Sequence, residues 1–158
     1  MINPRIGVIG GSIADKSILN IAEIVGNLVA SRGGIIVCGG MGGVMEAVCK
    51  GAKRAGGKTI GILPTRSVYD ANPYIDIPIV TGLGEARNLL VVLNSDVIIA
   101  IDGAYGTLTE IAFALLYKKP IVALKSWELV YDGEQDKNVI YVSTPEEAVN
   151  KVFELLTE

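Results

Sequence analysis

Apolar residues fall along this chain in short, nearly unbroken runs, separated by segments in which they recur with a helical period. The runs are Ile6–Ile9, Ile35–Cys38, Thr59–Leu63, Asp76–Val80, Val97–Ile101, Ile121–Leu124 and Val139–Val142, and β-branched side chains dominate them. A strand with one wet face alternates apolar and polar positions, whereas a strand covered on both faces does not. The runs therefore predict strands of a parallel sheet. Between them, Ser17–Ser31, Val44–Ala55, Glu85–Asn94, Thr107–Tyr117 and Pro145–Leu156 are predicted helices. The last has a strong entry signal: Thr144, then Pro145 at the first helical position, then Glu147 to complete a capping box.

Strict alternation of strand and helix implies right-handed crossovers. The predicted fold class is α/β, a Rossmann-like, doubly wound and mainly parallel sheet of about seven strands with helices on both faces. No internal repeat, low-complexity tract or linker divides the 158 residues, so 1–158 is expected to be a single domain. The one long irregular piece, Pro64–Tyr74, is expected to form a loop over a cleft.

Composition narrows the function. Half the residues are apolar, yet Asn94, Ser95 and Asp96 break the longest apolar stretch, so none approaches the roughly 18 residues a bilayer span needs. The N-terminus enters a strand at once, which leaves no room for a signal peptide, and a cytoplasmic location without membrane attachment is expected. A net charge of −3 with scattered Lys and Arg lacks the basic stripe of a nucleic-acid surface. Cys38 and Cys49 match no zinc or redox spacing and are expected to be buried free thiols. The chain has 0 histidines, which removes histidine-based nucleophile triads and histidine metal sites. No metal ligand set is expected, and catalysis would run on carboxylates, Arg, Lys, Tyr or backbone dipoles.

Ligands of doubly wound sheets bind beyond the carboxyl ends of the strands. Glycine-rich turns follow three of the predicted strands: Val8-Ile-Gly-Gly-Ser12, Cys38-Gly-Gly-Met-Gly-Gly43 and Asp102-Gly-Ala-Tyr-Gly-Thr107. Glycine keeps such turns tight in any protein. It also lets backbone N–H groups approach a ligand oxygen, and a helix start behind the turn adds its dipole. Together the turns favour a phosphorylated ligand, with Gly11, Ser12, Gly40, Met41, Gly42, Gly43, Asp102, Gly103, Gly106 and Thr107 as candidate binding residues. A dinucleotide fits poorly, since the spaced G-x-G-x-x-G is missing and no acid ends the second strand. The P-loop pattern is missing too.

Two charged residues sit in unusual places. Glu110 lies three residues after Thr107, so it either completes a capping box or faces the cleft mouth as an acid. Arg87 lies in a segment otherwise apolar nearly all round, and is either paired with an acid such as Glu85 or aimed at an anion. A helix apolar all round is normally covered on both sides, which hints at a dimer interface.

Asp102-Gly-Ala-Tyr-Gly-Thr-Leu-Thr-Glu110 resembles the P-G-G-x-G-T-x-x-E signature of the LOG (Lonely Guy) family, long mislabelled lysine decarboxylase-like. G-L-G-x-A-R-N, S-D-x-x-I-A and G-T-L-T-E-I-A resemble most closely a subfamily that includes molybdenum cofactor carrier proteins and is distantly similar to DprA/Smf Rossmann domains. The resemblance implies a homodimer or higher homo-oligomer that binds a phosphorylated small molecule. It implies either hydrolysis of the N-glycosidic bond of nucleoside 5′-monophosphates, with Arg87 and Glu110 as the catalytic pair and no cofactor required, or carriage of molybdenum cofactor without turnover. Asp102 and Ala104 depart from the signature's proline and second glycine, which weakens turnover more than binding. Nothing marks a pyridoxal-phosphate lysine, so the lysine decarboxylase label has no support in the residues.

Overall fold

The computed structural model describes residues 2–158. In chain order it runs β1 (Arg5–Gly10), α1 (Lys16–Ser31), β2 (Ile35–Cys38), α2 (Val44–Arg54), β3 (Thr59–Leu63), β4 (Ile77–Val80), α3 (Asn88–Leu93) and β5 (Val97–Ile101). It continues with α4 (Tyr105–Leu116), β6 (Ile121–Leu124), β7 (Val130–Tyr131), β8 (Glu134–Gln135), β9 (Val139–Val142) and α5 (Pro145–Leu155). Seven strands form one sheet in the order β4-β3-β2-β1-β5-β6-β9, and every pairing is parallel. The chain winds outward from β1 to β4, then returns to the other side of β1 with β5. This is the doubly wound Rossmann-like arrangement that the continuous apolar runs predicted.

Both faces of the central strands are buried, and successive residues feed two separate cores. Ile6, Val8, Ile36, Cys38, Val97, Ile99, Ile101, Val122 and Leu124 pack under α1, α2 and α5. Ile9, Val37, Ile98, Ala100, Ile121 and Ala123 pack under α3 and α4. Period-two alternation is thus present, but it sorts apolar residues between two cores instead of between core and water.

The boundaries hold several corrections. The expected helix over Glu85–Asn94 is a 3-10 turn at Gly84–Arg87 followed by the short α3. The helix expected from Thr107 begins at Tyr105, with Ala104 as an N-cap that supplies no side-chain bond. Asp102 (φ 53°) and Gly103 (φ 115°) turn the chain sharply enough to start α4 early. In α5, Thr144 Oγ1 accepts from Glu147 N at 3.2 Å as expected, but the Glu147 carboxylate takes Ser143 N at 3.0 Å, outside the strict capping box. The β7–β8 hairpin has no counterpart among the predicted elements. Its turn, Asp132-Gly133, has positive φ at both residues, the requirement of the commonest two-residue hairpin turn. The irregular stretch after β3 includes a 3-10 turn at Val68–Asp70, and of its residues Pro64 alone borders the main cleft.

Candidate functional site

Strand order reverses between β1 and β5, whose last residues, Gly10 and Ile101, are paired. The connections leaving these strands diverge to opposite faces, and a crevice opens between them. It holds a cleft of about 360 Å³ lined from β1 and its turn, the turn after β2, the 3-10 turn before α3, and the N-terminal turn of α4.

Arg87 forms part of the floor, 8% exposed. Its Nε donates to Ile62 O at 2.9 Å, NH1 to Asn88 Oδ1, and NH2 to Gly39 O at 3.3 Å. NH2 also faces Met45 Sδ at 4.0 Å. All these acceptors are neutral. The ion pair with Glu85 offered by the sequence does not form, and among the described residues no carboxylate lies within 4.0 Å of this guanidinium. A buried charge held only by neutral dipoles is costly unless another charge completes it. One N–H of NH1 is left over, so the floor of the cleft carries a buried positive charge with donor capacity to spare.

The second wall is the start of α4. Leu108 N already bonds Ala104 O at 3.1 Å, while the N–H groups of Tyr105, Gly106 and Thr107 precede the helix's internal bonding and no side chain caps them. Thr107 is 3% exposed, and its hydroxyl makes no hydrogen bond among the described residues. Its side chain instead packs against Gly103, where a β-carbon would meet Thr107 Oγ1 at 2.3 Å. The capping-box reading of Thr107 and Glu110 is therefore corrected: Thr107 lies inside the helix, and Glu110 is one turn too far along to cap it.

Glu110 is 6% exposed and lines the cleft. Burial pushes its carboxyl up to about 8, opposed by the Arg87 charge and assisted by Cys38 and Glu85. Near neutrality it is mainly a protonated acid, able to donate to a ligand heteroatom.

Of the candidate residues, Gly11, Ser12, Met41, Arg87, Gly106, Thr107 and Glu110 meet around this cleft. Gly40, Gly42, Gly43, Asp102 and Gly103 lie outside its wall. The second turn is largely engaged with the protein itself. Gly40 O accepts Asn72 N at 2.9 Å, and Val44 N, at the start of α2, donates to Gly11 O at 3.0 Å. The amides of α2 are thus partly used, unlike those of α4. Asp102 is directed beside Gly11, with Oδ2 3.6 Å from where a Gly11 β-carbon would stand, and its N and O bond Lys125 O and Ser126 Oγ. Sequence reasoning missed Gly39, Met45, Glu85 and Asn88 in the lining, whereas Pro64 comes from the stretch expected to lie over a cleft. Asn88 adjoins Arg87 in the chain, so adjacency was the available signal. Cys38 and Cys49 are buried free thiols with sulfurs 3.6 Å apart; the hydrogen bond to Cys38 and burial raise Cys49 well above the ordinary thiol range.

Among the described residues no group of three His, Cys, Asp or Glu side chains could hold a metal ion, and no helix is long and apolar enough to cross a membrane.

The sequence profile of the SLOG cluster4 family matches residues 3–149. The chain belongs to this family. Within the LOG-like superfamily it falls in a subfamily like that of the molybdenum cofactor carrier proteins. It is similar to the molybdenum cofactor binding protein of Rippkaea orientalis, with a TM-score of 0.90, 38% identity and 99% of each chain covered. The molybdenum cofactor carrier protein of Chlamydomonas reinhardtii is similar too, with a TM-score of 0.89 and 37% identity over 99% of this chain and 100% of that one. A cytokinin riboside 5′-monophosphate phosphoribohydrolase of Mycobacterium tuberculosis is 35% identical over 120 residues, 70% of this chain and 64% of that protein. The chain is thus similar both to proteins named for binding or carriage of molybdenum cofactor and to one named for hydrolysis.

Proposed function

We propose that the cleft binds the phosphorylated end of a nucleotide-like small molecule, with Arg87 and the α4 amides of Tyr105, Gly106 and Thr107 as the anion receptor. One observation carries this reading: the Arg87 guanidinium is buried, has only neutral acceptors, and lies in the same cleft as an uncapped helix N-terminus. Dipole and charge then favour the same ligand group. Gly11, Ser12 and Met41 would border the rest of the ligand. Gly40, Gly42, Gly43, Asp102 and Gly103 would act by shaping the turns that hold this lining.

With a nucleoside 5′-monophosphate bound, Glu110 would serve as general acid. Cleavage of the C1′–N bond leaves electron density on the departing base, and a buried protonated carboxyl can supply the proton while water attacks C1′ and releases its own proton to solvent, from which the carboxylate is reprotonated. The products are free base and ribose 5-phosphate, in keeping with the phosphoribohydrolase relative. The reaction needs no metal or resident cofactor.

Carriage without turnover is favoured by a separate observation. Two proteins that match this chain end to end are named as molybdenum cofactor binding and carrier proteins, whereas the phosphoribohydrolase is matched over 64% of its length. The phosphorylated pterin of that cofactor would present the same anion to Arg87. A homodimer is part of both readings, through Leu93, Leu116 and Tyr117, which are 43%, 69% and 47% exposed at the ends of α3 and α4.

Chromatography after incubation with a panel of nucleoside monophosphates separates the two. Release of base and ribose 5-phosphate, abolished in Glu110→Gln, establishes hydrolysis. Saturable binding of molybdenum cofactor without release of any base establishes carriage. Failure to bind either class overturns the proposal.

A further inference from the structure

Asn88 is 3% exposed and joins the two walls of the cleft. Its Oδ1 accepts from Arg87 NH1, while its Nδ2 donates to Gly106 O at 3.4 Å and to Thr109 Oγ1 at 3.1 Å. Thr109 Oγ1 donates in turn to Gly106 O at 2.6 Å. The partners fix which way the amide faces, because a flipped Asn88 would set an N–H₂ against the guanidinium and an oxygen against the Gly106 carbonyl.

We infer that Asn88 is a positioning residue that anchors Arg87 with an uncharged oxygen, so that the whole positive charge stays available to an anion in the cleft. This rests on the anion-receptor reading above and assigns the residue that keeps the receptor charged. A carboxylate would be the commoner partner for a buried guanidinium and would hold it at least as firmly. It would also cancel the charge. The remaining carboxyls nearby leave the charge standing: Glu110 is mainly protonated near neutrality, and Glu85 is exposed at the lip beside Gly106. Asn88 therefore supplies geometry without neutralisation, and ties it to the first turn of α4, whose free amides complete the receptor.

A structural role and a charge-sparing role order the variants differently. Asn88→Asp is nearly isosteric and pairs with Arg87, whereas Asn88→Ala removes the anchor but leaves the charge. The probe is inorganic phosphate, read as the rise in Tm with phosphate over chloride at equal ionic strength. Arg87→Met serves as the baseline for general salt effects. Wild type should be stabilised beyond that baseline. Asn88→Asp should fall to the baseline, with an apparent affinity weaker by about tenfold or more, although its phosphate-free Tm equals or exceeds that of Asn88→Ala. Asn88→Ala should be the less stable protein yet keep affinity within about threefold of wild type.

Phosphate stabilisation of Asn88→Asp to the wild-type extent overturns this inference alone. So does a loss of phosphate binding in Asn88→Ala that equals the loss in Asn88→Asp. A wild type no more responsive to phosphate than Arg87→Met overturns the anion receptor as well.

Discussion

Arg87 lies against the bare α-carbon of Gly39: a β-carbon there would stand 2.5 Å from Arg87 NH2 and 2.7 Å from Met45 Sδ. The obstructing atoms lie towards the ends of two long side chains rather than in the backbone, and Gly39 does not have positive φ, so alanine is acceptable to the backbone. Gly39→Ala should therefore fold, with a Tm lower by only a few degrees. The guanidinium must swing away from Gly39 O, and phosphate affinity should drop by about tenfold, the value of one well-placed charged hydrogen bond. Unchanged affinity in calorimetric titration would place the anion elsewhere.

Thr107 offers a cleaner separation of binding from stability. Its hydroxyl makes no hydrogen bond among the described residues, and its Oγ1 and methyl group both lie against Gly103 at the border of the cleft. Thr107→Val keeps the shape and removes only the polar atom. Stability should stay within about 1 kcal/mol of wild type. Phosphate affinity should weaken by a factor of roughly 3 to 10, as expected for one neutral hydrogen bond to the ligand. A variant that binds as tightly as wild type would remove the hydroxyl from the receptor.

The sheet was legible in the sequence because β5, Val97-Ile-Ile-Ala-Ile101, must satisfy two cores at once and so admits no polar residue. Arg87 and Glu110 were legible for the opposite reason, as charges in places that packing alone would fill with apolar groups. Their surroundings were not. Thr-x-x-Glu describes a capping box and equally a helix that began earlier, and only the positive φ of Asp102 and Gly103 decides between them. Asn88 stands next to Arg87 in the chain, yet its role depends on Gly106 and Thr109, which reach it through packing of α3 on α4. The turn after β2 has four glycines in the five positions 39–43, yet the Gly40 carbonyl serves Asn72 and the first amide of α2, Val44 N, serves Gly11. Glycine count does not reveal which turn keeps its N–H groups free.

Glu110 predicts a pH signature in stability. Its folded carboxyl titrates at about 8, above the ordinary value of 4.5. The folded state then holds a proton that the unfolded state has released. The stability linked to that proton is fully present below the unfolded value and declines as pH rises, until it is lost above about 8. Gln carries no such proton. Glu110→Gln should match wild type in this respect near pH 4 and gain on it steadily towards pH 8, by a few kcal/mol at most. Paired denaturant titrations across this window give the difference directly. A constant offset between the two proteins would mean that Glu110 titrates normally, and the general-acid role would lose its physical basis.

The apolar ends of α3 and α4 carry the last prediction. Both helices start at the cleft and run back along one face of the sheet, and at or just past their ends Leu93, Leu116 and Tyr117 remain 43%, 69% and 47% exposed. Isolated exposed apolar residues are ordinary, but several together on two packed helices form a surface that a second copy would cover. Leu116 is too exposed to matter for the protomer core, so Leu116→Glu should change the stability of a lone protomer by about 0.5 kcal/mol or less. In a dimer related by twofold symmetry, the same substitution introduces two carboxylates into one apolar contact. Wild type should sediment as a dimer with a concentration-dependent Tm, while Leu116→Glu should sediment as a monomer whose Tm no longer depends on concentration. Equal sedimentation of the two proteins would exclude this face as the interface, and would leave its leucines as isolated surface residues.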